Sequence, residues 1–167
     1  LDTDKFLKYG YVPHLDKGPW PDESWMFSAS HTLEYSFGAY AVAQMAKEMG
    51  KQDDYERLME LSKGWEKIYD TELNLIRPRW ENGDFIGDFD PMQVWRGFQE
   101  GNAYQYTFYV PHDPKGLIAK MGAEEFTARL DSIFTWSQDK LFSGGTTVDA
   151  FSGLQTYYNQ GNEPCLH

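Results

Sequence analysis

The chain has 167 residues, enough for one compact domain whose core needs no disulfide or metal staple. Fifteen basic residues against 26 acidic ones leave a formal charge of −11, which sets the chain against duplex nucleic acid and anionic membrane surfaces as partners. No apolar run approaches the roughly 20 residues of a membrane span, and a single cysteine, Cys165, excludes an intrachain disulfide framework and a Cys-based zinc site.

The chain opens Leu1-Asp2-Thr3-Asp4, with no initiator Met, basic n-region or apolar h-region, so any secretion signal is expected outside it. From His31 to Met49, apolar residues recur at Leu33, Phe37, Tyr40, Ala41, Met45 and Met49, a spacing that predicts an α-helix with one apolar face. Gly50 follows as its C-cap. Asp53 with Glu56 three residues on reads as a capping box, and the helical period continues through Tyr55, Leu58, Met59, Leu61, Trp65, Ile68 and Tyr69 to about Thr71. Two such helices joined by a few residues predict a helical hairpin.

Residues 74–99 keep no period. Pro78, Gly83, Gly87, Pro91 and Gly97 punctuate an aromatic loop too long for a plain connection, which points to function. Gln99–Val110 is again expected to be helical, and a third helix follows Gly122 with Phe126, Leu130, Ile133 and Phe134 on one face. Residues 143–164, rich in Gly, Ser and Thr, read as loop. No strand-type alternation and no fixed repeat stands out. The closing Gly161-Asn162-Glu163-Pro164-Cys165-Leu166-His167 reads as cut from something longer. The class expected is mainly α.

The aromatic share is high, 17%, with 6 Trp, 11 Tyr and 11 Phe beside many acids, a composition that suits carbohydrate-active proteins without establishing one. Three places carry candidate chemistry. Glu100 stands among aromatics and neutral amides in Phe98-Gln99-Glu100-Gly101-Asn102-Ala103-Tyr104-Gln105-Tyr106. Burying a carboxylate against aromatic faces disfavours its charged form, as a general acid requires. The same residue also reads as a structural carboxylate favoured by a helix N-terminus. Asn162 and Glu163, with Gln160 and His167 nearby, offer oxygens that suit a hard cation such as calcium, although an Asn-Glu pair is also an ordinary turn. Asp84, Asp88 and Asp90 lie among Trp80, Phe85, Phe89 and Trp95, a mixture that matches sugar hydroxyl bonding plus ring stacking, or plain turn chemistry. His14, His31 and His112 are isolated and read as structural or surface residues. No Gly-x-Ser-x-Gly and no phosphate-binding glycine loop occurs.

Several stretches together resemble one family. Thr32-Leu33-Glu34-Tyr35, Ala43-Gln44-Met45-Ala46-Lys47, Ile76-Arg77-Pro78-Arg79, Phe89-Asp90-Pro91, Glu100-Gly101-Asn102-Ala103-Tyr104-Gln105-Tyr106-Thr107, Val110-Pro111-His112-Asp113, Gly116-Leu117-Ile118 and Gly161-Asn162-Glu163-Pro164 are similar, in order and approximate spacing, to blocks of glycoside hydrolase family ninety-two, the calcium-dependent bacterial α-mannosidases. The resemblance spans nearly the whole chain. It implies that residues 1–167 are a section of an (α/α)₆ catalytic barrel, truncated at the C-terminal end. It points to Glu100 as the general acid, to Asn162 and Glu163 beside the calcium, and to Gln160, Trp95, Asp90 and Asn102 as substrate contacts.

The resemblance further implies an exo-acting, inverting α-mannosidase on mannose-containing glycans, secreted or periplasmic, with calcium holding the mannose 2- and 3-hydroxyls. Inversion needs a second carboxylate about 6.5–9.5 Å from the acid. In the family it lies in a Gly-Asn-Asp block downstream of Asn-Glu-Pro, so the base is expected outside this chain and the chain alone to be inactive. Gly38-Ala39 stand where two acids are usual, Gln160 where His is common, and Cys165-Leu166-His167 where Ser-His-His is usual. Linkage preference therefore stays open, as does a non-catalytic sugar-binding homologue that uses the aromatic loop around residues 80–95. The helices are expected to leave apolar faces exposed, for the remainder of the same catalytic domain or another copy.

Overall fold

The structure, a computed structural model, describes residues 2–16, 27–138 and 157–158. Its elements in chain order are α1 (Asp2–Tyr9), α2 (Ser28–Glu48), α3 (Gln52–Leu61), α4 (Gly64–Lys67), β1 (Tyr69–Asp70), β2 (Leu75–Ile76), α5 (Ala103–Tyr106), α6 (Pro114–Met121) and α7 (Ala123–Ser137). The mainly helical expectation holds, and α2 packs along α3 as the expected hairpin.

The long helix α2 forms where the period placed it, but of its expected apolar face only Leu33 is buried. Ser28, Ala29, Ser30, Thr32, Leu33, Ser36, Ala39, Ala43 and Ala46 are its buried residues. Val42, Met45 and Met49 are exposed, Met45 by 63%. Small residues face inward because neighbouring backbone comes very close. A Cβ on Gly64 would stand 2.5 Å from the Gly10 carbonyl and 2.8 Å from both Ser36 Oγ and the Phe6 ring. Larger side chains on that face of α2 would hold α1 and α4 away. Gly50, at φ +68, follows α2 as expected.

The next segment departs from the sequence reading. Helix α3 starts one residue before Asp53, with Lys51 as N-cap and no side-chain cap bond, so the expected capping box is absent. Gln52 Nε2 donates to Glu56 Oε1 at 2.7 Å instead. The helix stops at Leu61, where Ser62 Oγ turns back to the Met59 carbonyl at 2.7 Å. After the single turn of α4, the chain forms an antiparallel pair, Tyr69 opposite Ile76 and Asp70 opposite Leu75, where helix to Thr71 was expected. Two-residue strands are too short to show alternation. Helices α1 and α6 lie outside the elements expected from the sequence, although Asp113-Pro114 is a start signal. Asp113 Oδ1 accepts the Gly116 amide at 2.9 Å, with Pro114 in the first turn.

The core joins Leu33, Trp65, Ile68, Ile76, Phe98, Ala103, Tyr106, Tyr109, Val110, Leu117 and Met121. Helix α7 follows Gly122 as predicted, although only Ile133 and Ser137 are buried, while Leu130 and Phe134 are exposed and Phe126 packs partly buried on the core. Of the loop expected at 143–164, only Tyr157 and Tyr158 are described, and neither is in a helix or strand. No described helix is long and apolar enough to cross a membrane.

Candidate active site

The segment 88–110 is built on two supports, the N-terminus of α2 and the β1–β2 hairpin. The Ala29 and Ser30 amides donate to the Gly97 carbonyl at 2.9 and 3.2 Å, so the orphan donors of the helix start hold the loop. Ser30 Oγ accepts the Gln99 amide at 2.9 Å. On the other side, Thr107 Oγ1 donates to the Ala103 carbonyl at 2.6 Å and accepts the Ile76 amide at 2.9 Å, which ties α5 to β2.

Between these supports the helix expected over Gln99–Val110 shrinks to the four residues of α5. Asn102 is its N-cap, fully buried, and accepts the Gln105 amide, while Gln105 Oε1 accepts the Asn102 amide in return. This reciprocal capping box stops the helix from extending backward, because the cap residue is extended at φ −139. Glu100 therefore sits outside α5, two residues before its cap.

Glu100 is half-buried and adopts φ +50. That left-handed conformation costs a side-chain-bearing residue about 1–3 kcal/mol and persists only where surroundings over-determine it. Asp88 at φ +46 and Trp95 at φ +73 share it. Three such residues within one 13-residue stretch mark this loop as the functional candidate.

The Trp95 ring lies 5.8 Å from that of Phe27. Asp90 is exposed, and its Oδ1 accepts the Met92 amide at 2.9 Å in an Asx turn. The Pro91 carbonyl, next in line, accepts the Ala103 amide at 3.1 Å. Glu100, Trp95, Asp90 and Asn102 thus belong to one folded segment whose anchors interlock. Gln160, Asn162, Glu163 and His167 lie outside the described residues. Among the described residues, no three His, Cys, Asp or Glu side chains converge as a metal site.

The aromatic loop is more ordered than its sequence suggested. Arg79 and Phe85 form a β-bridge, the Ile86 amide donates to the Pro78 carbonyl at 3.0 Å, and Asp84 makes the turn with Asn82. Its rings are engaged from within. The Arg77 guanidinium lies 5.4 Å from the Phe85 ring and 5.3 Å from the Phe89 ring, and Arg79 lies 3.6 Å from Phe85. Trp80 packs on His14 at 5.3 Å. Cations and a histidine therefore already pack against the Phe85, Phe89 and Trp80 rings, while Trp95 stands apart from them beside Phe27.

Sequence reasoning also missed a polar group gathered around Asp16, which Arg96 and His14 both approach. Arg96 donates to the Asp88 carbonyl at 3.0 Å and to Asp16 at 3.4 Å. His14, 1% exposed, meets Ser28 Oγ through Nδ1 at 3.1 Å. Its Nε2 stands 3.4 Å from Asp16 Oδ1, out of alignment for a hydrogen bond. Burial pulls the His14 imidazole down to about 4, against the opposing pull of Asp16. Residues so far apart in sequence leave no local signal.

Residues 2–167 match the family model of the glycosyl hydrolase family 92 catalytic domain. The chain belongs to that family. Among solved structures, the family GH92 alpha-mannosidase BT3965 from Bacteroides thetaiotaomicron is 37% identical, covering 79% of this chain and 17% of its own, with a TM-score of 0.69. The family GH92 inverting mannosidase BT2199 of the same organism is 27% identical over 93% of this chain and 20% of its own, with a TM-score of 0.71. An uncharacterized secreted glycosidase of Arthroderma benhamiae is 27% identical over 74% of this chain and 19% of its length. The helical architecture is that of a section of the family's (α/α)₆ barrel. The chain spans about a fifth of the length of these relatives.

Proposed function

We propose that the whole protein to which this chain belongs is an exo-acting α-mannosidase that hydrolyses mannose-containing glycans with inversion, and that Glu100 is its general acid. The observation that carries the reading is the backbone of Glu100, held at φ +50 between anchored neighbours in a Glu-Gly-Asn segment. A backbone held so firmly fixes the root from which the Glu100 side chain leaves the loop, which favours a repeatable position for proton delivery to a glycosidic oxygen. The solved relatives are named as an alpha-mannosidase and an inverting mannosidase, and one was captured with mannoimidazole, which supports mannose as the sugar recognised.

In this mechanism Trp95 and Asp90 contact the sugar beside Glu100. Asn102 acts from within, since its buried side chain caps α5 and fixes the end of the loop. Glu100 protonates the departing oxygen as the bond to the anomeric carbon breaks. A second carboxylate, outside this chain, takes the proton from the water that attacks the opposite face. The calcium assignment to Asn162 and Glu163, with Gln160 beside the leaving sugar, belongs to the same proposal; bound there, the ion would hold sugar hydroxyls. The likeness to a secreted glycosidase supports a secreted or periplasmic setting.

The test is Glu100→Gln in the whole protein. The kcat on unactivated mannosides should fall by about 10²–10⁴-fold, and an unchanged rate refutes the assignment. Reversible loss of activity on chelation is the matching expectation for calcium; indifference to chelator removes it.

A further inference from the structure

We infer that Ser30 and Tyr106 are positioning residues that aim the Glu100 carboxylate; the inference rests on the general-acid reading above. The direction in which a side chain leaves the backbone, its Cα–Cβ vector, is set by the two peptide groups that flank its Cα, and the reach of the carboxylate starts from there. Before Glu100 lies the Gln99–Glu100 peptide, whose carbonyl accepts the Tyr106 hydroxyl at 2.6 Å. The Gln99 amide, one peptide earlier, donates to Ser30 Oγ at 2.9 Å. Gln99 is thus gripped on both its backbone polar groups, from α2 on one side and α5 on the other.

Beyond Glu100 the same tyrosine acts again. A Cβ on Gly101 would stand 2.8 Å from the Tyr106 ring and 2.7 Å from Gln105 Oε1, so the Gly101 backbone rests directly on that ring. Asn102 then closes the far side through its amide bond to Gln105 Oε1 at 3.2 Å. The ring itself is fixed: Tyr106 is 4% exposed and lies 5.6 Å from Phe98, which is 1% exposed. Ser30 is 3% exposed. Both anchors are buried side chains on helices, and they bracket an exposed Gln99 and a half-buried Glu100. The hydroxyls therefore choose the left-handed conformation at Glu100 over the right-handed and extended ones open to a glutamate at lower cost.

The experiment uses the whole protein, as wild type and as Glu100→Gln, Tyr106→Phe and Ser30→Ala, assayed on two substrates. Dinitrophenyl α-mannoside has a leaving group that needs no proton; an α-mannobiose has one that does. Tyr106→Phe keeps the ring under Gly101 and removes only the hydroxyl, and Ser30→Ala tests the second anchor independently. Each should lower kcat/KM on the disaccharide, by about 10²-fold for Tyr106→Phe, and leave the dinitrophenyl substrate unchanged. An equal loss on both substrates overturns the inference, because that is what a merely structural role produces. No loss on either overturns it too. Glu100→Gln separates the two levels. If it shows the selective loss and the anchors do not, the positioning role alone fails. If it loses both substrates equally or neither, the general-acid reading fails and the positioning role with it.

Discussion

Arg77 reaches back over the β1–β2 hairpin to Asp70, Nη1 to Oδ2 at 2.9 Å, with the carboxylate 4% exposed. Each partner is used twice. Asp70 Oδ1 also accepts the Glu72 and Leu73 amides of the hairpin turn at 2.9 and 3.2 Å. Arg77 also donates through Nε to the Ile86 carbonyl at 3.0 Å. The pair thus fastens the hairpin to the strand-like segment ahead of Phe89 and Asp90. Asp70→Ala takes the carboxylate from a part-buried guanidinium and frees the turn amides, and should destabilise by about 1–3 kcal/mol. Thermal melting of the whole protein reads this out; a shift no larger than that of an exposed substitution would show that the pair is dispensable.

His14 makes stability depend on pH. Its folded value is about 4, against about 6.5 in an unfolded chain. Between these limits the unfolded chain takes up a proton that the folded chain refuses, so stability falls as pH drops from 6.5 to 4, by about 3 kcal/mol in all. Its surroundings are Ser28, Asp16, Arg96 and the Trp80 ring. His14→Asn, which cannot titrate, should lose less melting temperature between pH 7 and pH 5 than wild type does. Parallel pH profiles would remove His14 as the source.

The sequence made some of this legible and hid the rest for physical reasons. Helix α7 was readable because Gly122 and the spacing of Phe126, Leu130 and Ile133 are local signals. Helix α2 was readable as a helix but not in its orientation, since periodicity records that apolar residues share a face and not which neighbour waits there. Its inner face is chosen by close backbone approach at Gly64 and Gly10, which lie elsewhere in the chain. The aromatic loop is aperiodic in sequence because side chains hold it: Arg77, Arg79 and Asn82 bond to loop backbone where ladder bonds would have left a pattern. At the site, Glu100 was visible as a lone carboxylate among aromatics. Its left-handed backbone was not, because glutamate carries no local preference for φ +50; Ser30 and Tyr106 impose it across the fold.

Gly101 should tolerate no side chain. The Cβ of Gly101→Ala would press on Gln105 Oε1, the acceptor of the capping box, and on the Tyr106 ring. The Gln105 side chain can yield, but the ring is fixed in the core. The expected result is about 1–3 kcal/mol of destabilisation together with a fall in kcat/KM of about 10²-fold. A variant with wild-type melting and turnover would show that the loop relaxes freely.

The exposed stripe of α2 gives the last prediction. Val42, Met45 and Met49 lie three and four residues apart, on one side of the helix, and are 50%, 63% and 65% exposed. A chain that spans a fifth of its solved relatives is one section of a barrel in which helices pack side by side. The rest of the same catalytic domain is therefore the expected neighbour of this stripe. Met45→Lys in the whole protein should then cost about 1.5–3 kcal/mol, the worth of a buried Met side chain. Glu48→Gln, on the exposed end of the same helix, should change little. Equal melting of the two variants would mean that the stripe faces solvent in the intact domain. A loss for Met45→Lys that appears only at concentrations where the protein self-associates would instead assign the face to a second copy.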